Sequence, residues 1–151
     1  MSDVFDPAGA RASVDCIRSL TAQSQLLWRT MDVARMLAHC SVPYELAFQE
    51  GGCPRPGAVK RLFFRLVVKP GVVKEKPYRK GLPTAREFRI ADAREFGDEQ
   101  DRLAGYVERT ARLGRGHFEG RDYPNFGPLT AREWNNLFAK HLDHHLRQFG
   151  V

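Results

Sequence analysis

At 151 residues and 42% hydrophobic content the chain is the size of one ordinary domain, with enough apolar material for a core that needs no covalent staples. Its net charge of +6 raises the question of nucleic acid, but nine basic residues and one acid fall between Arg55 and Lys80, leaving fifteen basic and seventeen acidic elsewhere, so the basicity belongs to one segment. No charged and then apolar leader opens the sequence and no stretch approaches the ~20 apolar residues of a membrane span, so a cytoplasmic protein without a membrane partner is expected.

The first helix is expected from Pro7 into the low twenties, with Asp6 as N-cap, Pro7 at the first helical position and Val14, Ile17 and Leu20 as an apolar stripe. The second follows in TMDVARMLAHCSVPYELAFQEGG, where Thr30 can cap, Asp32 suits the positive end of the helix dipole and Gly51 with Gly52 supplies the stop. Pro43 inside it removes one backbone hydrogen bond, which predicts a kink just beyond His39. A long Pro- and Gly-rich basic connection comes next, and its one apolar run, Leu62 to Val68, reads as a short helix whose Leu62, Phe63, Leu66 and Val67 form the buried side.

The third long helix is expected over about residues 92–113, with Phe96, Leu103, Val107 and Thr110 on one stripe and Gly114 and Gly116 past its end. GHFEGRDYPNFGP reads as a turn-rich loop, with no β-hairpin pattern. The last helix has the clearest start: in LTAREW, Thr130 and Glu133 form a capping box and Leu129 can staple onto Trp134. Four long helices with one long connection between the second and third describe an all-α, single-domain four-helix bundle. Cys16, Cys40 and Cys53 are odd in number and lack CxxC spacing, so they read as reduced, at least partly buried thiols.

Chemistry concentrates in the histidines. Three of five fall in the closing KHLDHHLRQFGV. At about 100° per residue, Trp134, His141, His145 and Gln148 share one inward face, and the i, i+4 spacing of His141 and His145, about 6 Å along the axis, lets both imidazoles converge on one ion. His39 lies on an apolar stripe with Met36, Val42, Pro43 and Leu46, so it too faces the interior. Imidazoles from two facing helices can build a metal site inside a bundle, and three of them leave positions for water or substrate. The competing reading makes each a hydrogen-bonded core histidine. His144 stands to one side of the pair and Gln148 on its face, so both are candidates for the layer behind the ligands. In HLDHH the glutamate of HExxH is replaced by Leu142, which argues against a zincin-type peptidase.

The segment NFGPLTAREWNNLFAKHLDHHLRQFGV, with WRTMDVARMLAHC before it, resembles the family designated domain of unknown function 1569, within the DinB/YfiT-like superfamily. That resemblance implies a bundle of up-down-down-up topology with a divalent metal on one histidine of helix two and an HxxxH pair of helix four, which correspond to His39, His141 and His145. It also implies kinship with enzymes that use mycothiol, bacillithiol or glutathione as transferases or isomerases, so a small-molecule thiol and an electrophilic substrate are the expected partners. Three imidazoles suit zinc, nickel, iron and copper alike, and the cofactor expected is a divalent transition metal such as Zn, Ni or Fe. The alternative is a non-catalytic bundle that binds metal or a protein partner. Nucleic acid is not expected, since Phe63, Phe64 and Tyr78 stand among the positive charges without an RRM, KH or zinc-finger pattern. His117 could supply a fourth ligand from its loop, and Cys40, about 100° from His39, reads as packing. A homodimer is compatible with the bundle, although the sequence identifies no exposed apolar seam.

Overall fold

The computed structural model describes residues 2–27, 31–50, 55–76, 78 and 89–151. Over these residues it is mostly helical: α1 Pro7–Ser19, α2 Val33–Phe48, α3 Ala58–Phe63, a π-helical turn Phe64–Val68, α4 Lys69–Val73, α5 Phe96–Phe118 and α6 Ala131–Leu146, which ends in a 3₁₀ turn Arg147–Phe149. Two short strands, β1 Asp122–Tyr123 and β2 Gly127–Pro128, pair antiparallel between α5 and α6. That small ladder stands where a loop without a hairpin was expected. Tyr123 pairs with Gly127, whose φ of 80° is the left-handed conformation that only glycine adopts cheaply.

α1 starts as the sequence dictates, with the Asp6 carboxylate accepting from the Gly9 amide at 3.0 Å, but it stops at Ser19, short of the expected low twenties. Gln100 on α5 explains the stop, because its side-chain amide donates to the Ile17 and Leu20 carbonyls at 2.9 and 3.1 Å and so satisfies the open end of the helix. α2 is capped by Asp32 itself, which accepts from the Arg35 amide at 2.8 Å; Thr30, Gly51, Gly52 and Cys53 lie outside the described residues. It closes on Gln49 in the left-handed conformation (φ 58°) and runs unbroken through Pro43. Every residue of α2 except Arg35 is buried, which makes it the central helix, packed on α5 and α6. Burial of Glu45 and Glu99 is offset by Arg102, which pairs with both carboxylates, and by Arg94 on Glu99 at 3.2 Å.

α5 begins at Phe96, later than expected. The break foreseen at Gly114 is present as a single residue at φ 71°, after which one more helical turn carries Phe118 into the core. Phe118 meets Phe5, Phe48, Trp134 and Phe138 ring to ring, joining the N-terminus, α2 and α6.

The connecting helix 58–73 corrects the sequence reading most. Leu62, Phe63, Leu66 and Val67, expected on its buried side, are exposed, and Phe64, Val68, Val72 and Val73 face the core instead. Pro70 has no N–H for the Leu66 carbonyl, and just before it the helix widens, with the Lys69 amide reaching back to the Phe64 carbonyl. The end of this helix is held by α6: the Lys140 ammonium donates to the Gly71 and Lys74 carbonyls at 2.7 and 2.9 Å, and Asn136 donates to Val73 at 2.8 Å. Lys140 is 4% exposed, and burial lowers its pKa. Replacing Lys140 with Met leaves those carbonyls without their donor; the expected outcome is a loss of ~1–2 kcal/mol in urea unfolding, with faster amide exchange confined to residues 69–76.

Candidate metal centre

The phase of α6 is set at its first turn. The Thr130 hydroxyl accepts from the Glu133 amide at 3.2 Å and the Glu133 carboxylate accepts from the Thr130 amide at 2.9 Å, completing the capping box. Leu129 before it and Trp134 after it are both buried. From that start, three turns of regular helix bring His141 and His145 to the face that looks at α2. His39, seven residues beyond the Asp32 cap and 3% exposed, meets them from the other side.

His39 Nε2 lies 2.9 Å from His145 Nε2 and 3.1 Å from His141 Nε2, and one nitrogen from each of the three rings falls within 4.8 Å of the others. The rings stand at 35° (His39 and His141), 70° (His141 and His145) and 73° (His39 and His145), so their edges, not their faces, converge. A ring nitrogen carries either one proton or one lone pair, so a proton can join His39 to one neighbour only, whereas a cation accepts a lone pair from all three. Nitrogen ligands at ~2.0–2.1 Å around a tetrahedral ion stand about 3.3 Å apart, close to the spacing found here. The residues present therefore fit a metal ion.

Protonation agrees with that use. The Gln148 side-chain oxygen accepts from His145 Nδ1 at 3.0 Å, which keeps the proton on Nδ1 and turns the Nε2 lone pair toward His39. Burial holds His141 well below its ordinary value, and His145, His39 and His144 push it in the same direction, so its ring is neutral at physiological pH. His144 does not join the cluster. Its Nε2 lies 3.4 Å from Gln148 Nε2 and its ring meets His145 edge-on at 5.1 Å.

The connecting segment reaches this layer, which its sequence did not disclose. Tyr78 meets His144 edge-on at 5.6 Å, and the Lys140 ammonium lies 4.3 Å from the centre of the Tyr78 ring. Lys140 carried no sequence signal for this position, since its role depends on where a segment some 65 residues earlier happens to pass. His117, weighed as a fourth ligand, sits in the last turn of α5 beside Arg121 at 2.7 Å and is not among the clustered groups. Cys40 turns its thiol to the Met36 sulfur at 3.6 Å, and burial pushes its pKa up, so it remains a protonated packing group.

Residues 7–150 match the family model described as "Protein of unknown function (DUF1569)". The chain belongs to the DUF1569 family. Comparison with curated proteins and with solved structures found no match. The family description carries no activity, so the chemistry of this DUF1569 chain rests on the three-histidine cluster and its surroundings.

The depressed His141 sets a pH dependence for the metal-free DUF1569 chain. Above 6.5 the ring is neutral in folded and unfolded chains alike; below it the unfolded chain takes a proton that the folded one resists, so stability falls as pH falls. The melting temperature of stripped protein should drop on acidification through that value, and His141→Phe should flatten the drop.

Proposed function

We propose that this DUF1569 chain is a metal-dependent enzyme of the DinB/YfiT-like type. In this reading α1, α2, α5 and α6 form a single up-down-down-up four-helix bundle, the segment between α2 and α5 is its crossover, and the protein works in the cytoplasm. His39, His141 and His145 hold a divalent transition metal such as zinc, nickel or iron. The observation that carries the reading is the convergence of the three Nε2 atoms, two from one helix and one from another.

When bound, such an ion is a Lewis acid with coordination positions open to a small molecule, and it lowers the pKa of a thiol or water placed there. The chain's own residues prepare the site for it. Gln148 orients His145 by taking the Nδ1 proton, and burial keeps His141 a neutral donor. Cys40, next to His39 in sequence, stays protonated and is not the nucleophilic sulfur, a part that a small-molecule thiol takes in this reading. His144 and Tyr78 stand at the edge of the cluster, in position to contact what enters it. Thiol transfer to an electrophilic substrate, or thiol-assisted isomerisation, is the reaction class this supports.

Untagged protein, stripped and then offered Zn²⁺ or Ni²⁺, should take up one equivalent, and His141→Ala should abolish uptake together with turnover of low-molecular-weight thiols and electrophiles. Uptake below about a tenth of an equivalent sinks the proposal. Full uptake without turnover of any thiol leaves a metal-binding bundle and removes the enzyme. Gln148→Leu should weaken the metal by ~10–100-fold while His144→Ala retains it, measured by competition with a chromogenic chelator.

A further inference from the structure

The strongest feature outside the histidine cluster is the outer face of the connecting helix. Val59, Leu62, Phe63, Leu66 and Val67 are 86, 56, 54, 65 and 60% exposed, while the other strongly exposed apolar side chain among the described residues, Leu27 at 67%, lies on a different segment. Their spacing is i, i+3, i+4, i+7, i+8, the pattern of one continuous helical stripe. Such a stripe ordinarily faces a core. Here the core side is already taken by Phe64, Val68, Val72 and Val73, so the helix has two apolar faces and, among the described residues, one of them is packed against the core.

At these exposures the five side chains leave on the order of 500 Å² of apolar surface in water, a size at which patches on soluble proteins mark interaction sites. A two-fold contact through the stripe doubles that to on the order of 1,000 Å² before any rim is counted, which approaches the ~1,200–2,000 Å² of a stable interface.

Charge decides between a second copy and a lipid surface. An interfacial helix flanks its apolar face with cations free to meet anionic headgroups. On this helix the cations are largely engaged inward or along the helix: Arg61 pairs with Asp122 at 2.7 Å, Lys69 with Glu133 at 2.8 Å, and the Lys60 ammonium lies 5.3 Å from the centre of the Phe64 ring. What remains outward is an apolar stripe with Arg65 as the exposed cation at its edge. Such a surface is complementary to itself, the condition an isologous contact must meet.

We infer that this stripe is the seam of a homodimer, with the connecting helices of two chains packed against each other across a two-fold axis. The contact is separate from the histidine cluster, so it stands or falls independently of the metal. Light scattering on a sizing column should give twice 17.2 kDa for the wild-type chain at micromolar concentration. A Leu62→Glu, Leu66→Glu double variant should give 17.2 kDa with unchanged far-UV circular dichroism and unchanged metal uptake. Val59→Arg, a single change at the most exposed position, should raise the dimer dissociation constant at least tenfold and keeps the test decisive if the double variant misfolds. A monomeric wild type overturns the inference, as does a variant that folds and stays dimeric. A monomer that co-sediments with phosphatidylglycerol vesicles, and loses them on the same substitutions, also overturns it and assigns the stripe to lipid.

Discussion

The burial of His39 is the constraint on which the rest of the site depends. α2 is buried on nearly every side, so an imidazole placed there has no water to meet and must find its partners among side chains from another helix. α6 supplies them in pairs, because an i, i+4 spacing brings two rings to one point on a neighbouring helix. That demand fixes the rotation of α6 to within a fraction of a turn. The capping box at Thr130 and the buried Trp134 are what hold it there, although they lie more than ten ångströms of helix away from the histidines they serve.

Polar satisfaction organises the periphery as well. Where a helix end would be left open, a side chain from a different helix closes it: Gln100 of α5 on the end of α1, Lys140 and Asn136 of α6 on the end of the connecting helix. Each such closure also fixes where two elements sit relative to each other. Through Lys140 and Tyr78 the connecting segment is brought against His144, so the layer behind the histidines is built from parts of the chain far apart in sequence. This is how a segment that looks like a linker comes to border the site.

What could be read in the sequence follows the range of the interaction concerned. The caps at Asp6 and Thr130, the break at Gly114 and the inward face of His141 and His145 are settled within a few residues, and local pattern was sufficient for them. His39 was legible because its own stripe is apolar and because the pair on α6 required a third member. The connecting helix was not. Its inner and outer faces are both apolar, so hydrophobicity alone could not say which one meets the core, and the inward ion pairs that decide it join Arg61 and Lys69 to Asp122 and Glu133, some sixty residues later. Gln100 and Lys140 were illegible for the same reason, each being polar and unremarkable until its distant carbonyl is in place.

The π-helical turn at Phe64–Val68 has a consequence for how much this helix can tolerate. A turn of this kind accommodates one residue more than a regular helix would, so the flanking halves are out of phase by about 100°. Val59, Leu62 and Phe63 before it point to solvent, while Val72 and Val73 after it point to the core. The length of the helix therefore acts together with the inward ion pairs of Arg61 and Lys69 in separating the two faces. Substitutions among Leu, Val and Phe preserve that division, and so does loss of the one extra residue, which closes the turn to a regular helix; gain of a further residue instead turns one half against the other, bringing the outward stripe onto the core or the inward valines into water.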